Sequence, residues 1–242
     1  MPFPKLDILA FGAHPDDVEL GCGGTLLRQV AMGSSAGIVD LTRGEMGTRG
    51  TPDMRDVEAR EAAKLMGIDV RENLRMKDGF FVNDHEHQLK VIESIRRYRP
   101  RVVMTNAPKD RHPDHGRGYE LVRDAAFLSG LAKIETAEAD GTPQQAWRPP
   151  LVISYLQAMH LQPNFVYDVS DVWEQKVTAI MAHASQFYNP NSKEPETFIS
   201  SKSFMKFVES RARDLGKLIG VEFAEGFVTD RAIGVVDLEA IV

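Results

Sequence analysis

Strand-like and helix-like segments alternate along the chain, and that alternation limits the possible folds more than any other property of the sequence. Leu6–Phe11 (LDILAF) is a short apolar run broken only by Asp7, the pattern of a strand buried on both faces. Gly21, Gly23 and Gly24 lead from it into a helix predicted over Thr25–Met32 and stopped by Gly33. Gly37–Thr42 (GIVDLT) is the second strand candidate. Thr51 as N-cap and Pro52 at the first helical position then open a helix that runs through Ala59, Ala62 and Met66 to Gly67. A further helix is predicted over Glu86–Tyr98, closed by Pro100, and it leads directly into the third strand, Val102–Thr105 (VVMT). Another helix follows over Gly118–Leu128.

In the second half, Glu135–Pro150 is polar and proline-rich and reads as an exposed loop. Strands are expected at Val152–Leu156 and Phe165–Val169, and helices near Val172–Met181 and Ser203–Ile219. The implied fold class is α/β: a Rossmann-like, largely parallel sheet with helices on both faces, in a single domain spanning residues 1–242. A chain of 242 residues, 43% of them hydrophobic, buries enough surface to need no staple, and its lone cysteine, Cys22, forms no intrachain disulfide.

The formal charge of −6, without any Lys/Arg run, argues against nucleic acid as a partner. No uncharged apolar stretch approaches the ~18 residues of a membrane helix. Lys5, Asp7 and the His-Pro-Asp-Asp run interrupt what a secretory signal would need to continue. The expectation is a soluble cytoplasmic protein.

Ligands of open α/β sheets bind beyond the carboxyl ends of the strands. His14-Pro15-Asp16-Asp17 directly follows the first strand, and His112-Pro113-Asp114-His115 lies a few residues after the third. A Gly-rich loop, Arg43–Thr51, follows the second. Singly, each motif has an ordinary explanation: paired acids favour a helix start, and His-Pro-Asp-His makes a turn. Together they place three of the seven histidines among acids at neighbouring strand ends. Adjacent buried carboxylates repel each other unless a cation or proton compensates, and a metal does so directly. One cysteine excludes a thiolate-rich site. Two imidazoles and a carboxylate suit a catalytic zinc with an open position, and equally Fe(II) or another divalent ion. Such a metal acidifies water, a spare carboxylate can take its proton, and a spare imidazole can stabilise an oxyanion.

The stretches AFGAHPDDVELGCGGTL and HPDH resemble the LmbE/PIG-L-type zinc deacetylases, which act on N-acetylglucosaminyl compounds. TRGEMGTRGT, FVYDVSDVWEQK and HASQFYNP make the resemblance strongest to the branch that deacetylates N-acetylglucosaminyl malate in bacillithiol biosynthesis. The resemblance implies His14, Asp17 and His115 as metal ligands and Asp16 as general base. It implies His112 as the imidazolium facing the oxyanion, with Asp114 holding its charge and orientation. Glu45, Arg55 and Asp78 lie where relatives contact the sugar. The implied partner is a small amino-sugar conjugate, and the implied assembly a homo-oligomer, hexameric in that branch.

Other features carry less. Arg43, Arg49 and Arg55 can recognise the carboxylates of a malate aglycone, or be a solvated loop and a helix face. Gly21-Cys22-Gly23-Gly24 lacks the spacing of a dinucleotide fingerprint. Cys22 is expected to be a packed residue, and His85 and His87 surface residues. His183 has either a pocket-lining or a structural role. Two alternatives stay open: a deacetylase of another N-acetylglucosaminide or an amidase of a thiol conjugate, and a non-catalytic metal- or sugar-binding module. Asp16 speaks against the module, since holding a metal needs no second acid beside the ligand.

Overall fold

The computed structural model describes residues 3–235 and Asp237. Its strands, among the described residues, form one seven-stranded sheet in the order β3-β2-β1-β4-β5-β7-β6. These are β1 Ile8–Gly12, β2 Ala36–Thr42, β3 Val70–Met76, β4 Val102–Thr105, β5 Leu151–Tyr155, β6 Phe165–Asp168 and β7 Ala224–Val228. The first five run parallel, and β7 is antiparallel to both neighbours. The helices are α1 Asp17–Ala31, α2 Pro52–Leu65, α3 His85–Tyr98, α4 Pro113–Leu128, α5 Trp173–Met181 and α6 Phe204–Lys217.

Alternation along β1 and β2 divides the core in two. Ile8, Ala10, Ala36 and Ile38 face α1, α2, α5 and α6, whereas Leu9, Phe11, Val39 and Leu41 face α3 and α4. The largely parallel sheet covered on both faces is the fold class the sequence implies. The chain runs outward from β1 to β3 and then returns to place β4 on the other side of β1. The carboxyl ends of β1 and β4 therefore flank the point where the strand order reverses, the usual ligand crevice of such sheets.

Two strands, β3 and β7, lie in segments that do not read as strands, for the same reason. Each carries a buried charge. Arg71 of β3 meets Glu19 and Asp40, and Glu225 of β7 meets Lys176. Two helices start earlier than predicted. α1 begins at Asp17 and not at Thr25, because its glycines are close-approach points: a Cβ at Gly21 would overlap the Tyr155 ring. α4 begins at Pro113 and not at Gly118, with Pro113 at the first helical position and His112 as N-cap. Both histidine motifs thus lie at helix N-termini, with Asp17 and Asp114 in first turns.

Candidate metal centre and cavity

Asp16 is the N-cap of α1 and has a φ of 127°, a conformation L residues rarely adopt. Backbone strain of that kind persists only where the surroundings enforce it. Here Arg55 does so. Its guanidinium donates to Gly44 O (2.9 Å) and Pro15 O (2.8 Å) and stands 3.4 Å from Asp16 Oδ2. Burial pushes the Asp16 carboxyl up to about 6, against the opposing pull of Arg55.

The next residue, Asp17, is almost wholly enclosed. Its Oδ2 accepts from the His14 backbone N–H (3.0 Å) and from Asn106 Nδ2 (3.1 Å), and Oδ1 accepts from Gln157 Nε2 (2.7 Å). His14 Nδ1 lies 3.4 Å from Asp17 Oδ2, and His115 Nε2 lies 3.2 Å from Oδ1. Each imidazole turns its other nitrogen to a carboxylate of its own: His14 Nε2 to Asp78 (3.0 Å) and His115 Nδ1 to Asp110 (2.6 Å). Asp110 is fixed in turn by the N–H groups of Ala158 and Met159. Burial works against a charge on His115, but Asp17 and Asp110 outweigh it and raise the ring to about 9. Asp114, Asp17 and Asp78 likewise raise His14 despite its burial.

These residues fit a divalent cation. Two imidazoles aim one nitrogen each at a shared carboxylate, while the other nitrogen is oriented by a carboxylate, the arrangement typical of metal-binding histidine. The clustered acids hold protons on His14 and His115, and a cation replaces such protons on binding.

His112 completes a trio in which one nitrogen of each ring lies within 4.8 Å of the other two. Its Nδ1 accepts from the Asp114 backbone N–H at 3.2 Å. Burial, with His14 and His115 beside it, lowers its pKa. This geometry favours a neutral ring with its proton on Nε2, in contrast to the imidazolium that the resemblance implies. The Asp114 carboxylate serves other partners, accepting from Gly79 N (2.7 Å) and Arg117 Nη1 (2.6 Å) and lying 3.5 Å from His14 Nε2. It orients His112 through the main chain.

A cavity of about 220 Å³ opens over this cluster, lined by His14, Asp16, Asp17, Asp78, His112 and His115 among others. Of the three expected sugar contacts, Arg55 and Asp78 reach the cavity wall, though both are engaged by protein partners. Glu45 is exposed, and its Oε1 accepts from the Asp78 N–H. The arginine loop is committed elsewhere as well. Arg43 pairs with Asp53 and Asp56, and Arg49 donates to Ser185 O. His183 is fully buried, with Nε2 3.1 Å from Glu19 Oε1, and does not line the cavity. Cys22 is buried with its thiol pKa pushed up by desolvation, His85 is exposed, and His87 pairs with Asp84 at the surface.

Asn106, Asp110 and Gln157 do not stand out in the sequence, although Asn106 directly follows β4 and Gln157 lies two residues beyond β5. A polar residue at the carboxyl end of a buried parallel strand was the available signal. The far wall comes from the C-terminal half: Gln186 belongs to the HASQFYNP stretch, whereas Phe198, Phe204, Phe207 and Arg211 have no motif to mark them.

The profile of the family described as PIG-L, GlcNAc-PI de-N-acetylase, matches residues 9–126, the segment that carries both histidine motifs. The structure also superposes on the crystal structure of the conserved protein TT1542 from Thermus thermophilus with a TM-score of 0.84. The two are 36% identical over 96% of this chain and 98% of that one. The chain belongs to the PIG-L family. Relatives within reach of this PIG-L chain include the diacetylchitobiose deacetylase of Thermococcus kodakarensis, 26% identical over 231 residues (90% of this chain, 81% of that protein). They also include a probable N-acetyl-alpha-D-glucosaminyl L-malate deacetylase 2 of Bacillus cereus, 28% identical over 198 residues (74% of this chain, 83% of that protein). Among the described residues, no helix of the chain is long and apolar enough to cross a membrane.

Proposed function

We propose that this PIG-L chain is a zinc-dependent deacetylase that hydrolyses the acetamide of N-acetylglucosaminyl malate, as bacillithiol biosynthesis requires. Deacetylation of an N-acetylglucosamine-type substrate follows from the family. The zinc and the malate conjugate are the finer reading. The observation that carries the zinc is the pair of imidazoles, His14 and His115, each held between Asp17 and a carboxylate of its own, whereas the malate rests on the resemblance of TRGEMGTRGT, FVYDVSDVWEQK and HASQFYNP. His14, Asp17 and His115 would hold the cation, with Fe(II) or another divalent ion able to take the same donors. When bound, it supplies Lewis acidity at the acetyl carbonyl and acidifies water.

The remaining chemistry belongs to the chain. Asp16 takes the proton of the attacking water, and its burial keeps it basic enough to do so near neutral pH. His112 donates from Nε2 to the oxygen that becomes negative as the carbonyl carbon turns tetrahedral. Asp114 fixes the His112 ring through its backbone N–H. Asp16 then returns its proton to the sugar nitrogen as the C–N bond breaks, leaving acetate and a free amine. The same reading makes the protein cytoplasmic and homo-oligomeric, with a hexamer the expected size in solution.

Acetate release from N-acetylglucosaminyl malate and from plain N-acetylglucosamine, each with a chelated control, tests it. Chelator-sensitive preference for the malate conjugate supports the whole reading. Equal rates on both compounds remove malate and leave the deacetylase.

A further inference from the structure

The C-terminal wall of the cavity contains a cation without a counter-ion among the described residues. Arg211 of α6 lines the cavity, and its Nη1 is shielded from solvent yet has no hydrogen-bond partner among those residues. None of their carboxylates forms a salt bridge with it. Asp110 and Glu225 act on it only at a distance, and both are engaged: Asp110 by His115, Ala158 and Met159, Glu225 by Lys176, Gly24 and Thr25. Its guanidinium carbon stands 5.7 Å from the centre of the Phe207 ring.

The other shielded arginines differ. Arg55 donates to two carbonyls, Arg71 pairs with Glu19 and Asp40, and Arg96 donates to Ser129, Leu131 and Ile134. A buried charge without partners is costly, and a ligand of opposite charge in the cavity offsets that cost. Burial lowers the Arg211 pKa to about 10, which leaves it charged at neutral pH. The planar guanidinium matches the paired oxygens of a carboxylate or a phosphate. Around it the wall is apolar, with Phe198, Phe204, Phe207 and Val208. An anion there meets Arg211 in a weakly screening setting, with the exposed Arg111, 4.4 Å from the centre of the Phe198 ring, also on the cavity lining.

We propose that Arg211 is the anion anchor of this cavity, pairing with a carboxylate or phosphate on the aglycone and selecting acidic N-acetylglucosaminyl conjugates over neutral ones. The proposal rests on the deacetylase reading for the position of the sugar, and it moves recognition of the aglycone from the Arg43–Arg55 loop to α6.

Three measurements test it on the metal-loaded full chain. Binding of L-malate and of inorganic phosphate is measured by calorimetry on wild type, Arg211→Met, Arg211→Lys and, as a control on the same helix, Arg213→Met. Arg213 pairs with Glu209 and Glu222 and lines no part of the cavity. Arg211→Met is expected to weaken one or both anions about tenfold or more, the loss of one charge-assisted pair, with Arg211→Lys intermediate and Arg213→Met unchanged. Whether malate or phosphate loses more identifies the anion. The melting temperature of ligand-free Arg211→Met should stay level or rise, whereas a structural arginine would lower it. In kinetics, the same variant should raise KM for N-acetylglucosaminyl malate and leave KM for N-acetylglucosamine and both kcat values unchanged. Equal anion affinity in wild type and Arg211→Met overturns the proposal, as does an equal KM rise on both sugars. If anion binding depends on Arg211 but wild type releases no acetate, the anchor stands and the deacetylase reading falls.

Discussion

The cavity has two walls of contrasting construction. The wall from residues 14–115 is mostly polar and, apart from the exposed Arg111 over Phe198, bonded to protein: Asp17, Asp78 and Arg55, with Asp110 and Asp114 behind them, all have partners at hydrogen-bonding distance. The wall from residues 186–211 is mostly aromatic and aliphatic, and its arginine is unpaired among the described residues. Groups that must hold a reacting geometry are locked before the substrate arrives, which is how a site avoids reorganising during reaction. A group that recognises the variable part of a substrate keeps its hydrogen-bonding capacity free. Under the proposed function, reaction chemistry falls to the first wall and discrimination to the second.

The sharpest way to break this contrast is within Asp16-Asp17. Asp17→Ala should lose the metal and reduce acetate release to background, read by elemental analysis alongside the assay. Asp16→Ala should keep the metal and lower kcat by about 10²–10⁴, the usual range for a general base. Full activity in Asp16→Ala would remove that residue from the mechanism.

The next largest effect separates paired from unpaired cations inside the C-terminal half. Lys176 is buried against Glu225, so Lys176→Met leaves that carboxylate without its counter-ion, held only by Gly24 and Thr25. Breaking a buried pair typically costs about 3–5 kcal/mol, and urea unfolding should show it. Arg211→Met should show no such loss. If both variants are destabilised alike, Arg211 is a structural residue and the second wall loses its distinction. A smaller effect is expected for Asp110→Asn, which loosens His115 without removing a ligand. Metal affinity should fall roughly 10–100-fold, measured by competition with a chelator. Unchanged affinity would mean that Asp110 serves the loop at Ala158 and not the centre.

The legibility of the chain follows the same division. The apolar runs of β1, β2 and β4 are visible because a strand buried on both faces leaves little room for polar residues, and the histidine motifs are visible because one directly follows β1 and the other lies a few residues beyond β4. β3 and β7 are hidden by Arg71 and Glu225, charges that only become reasonable in a core once Asp40, Glu19 and Lys176 are brought to them by distant parts of the chain. The α1 glycines look like a loop because nothing local announces that Tyr155, far along the chain, will press against Gly21. Asp110 is a single acid beside a lysine and an arginine, and its role depends on the backbone N–H groups of Ala158 and Met159. Arg211 is one arginine on an amphipathic helix. Its significance lies in an absent partner, which no sequence pattern encodes.

The subtlest test concerns the pH at which the first wall becomes active. Burial raises Asp16 to about 6, and Arg55 is the largest force pulling it down. A base must be ionised to accept a proton, so kcat/KM should fall as pH drops through the Asp16 pKa. A cation at His14, Asp17 and His115 also favours the carboxylate, which places this acid limb at or below about pH 6. Arg55→Gln removes a positive charge beside the carboxylate, so its pKa rises and the limb moves to higher pH. The ratio of variant to wild-type activity should therefore be several-fold lower at about pH 6 than at about pH 8, since one pKa unit is worth about 1.4 kcal/mol. Arg55 also holds Gly44 O and Pro15 O, so its loss lowers activity at every pH. The change in the ratio, and not the absolute rate, isolates the electrostatic part. Parallel profiles would show that Asp16 ionisation does not set the limb, and would reduce Arg55 to a brace for the strained backbone at Asp16.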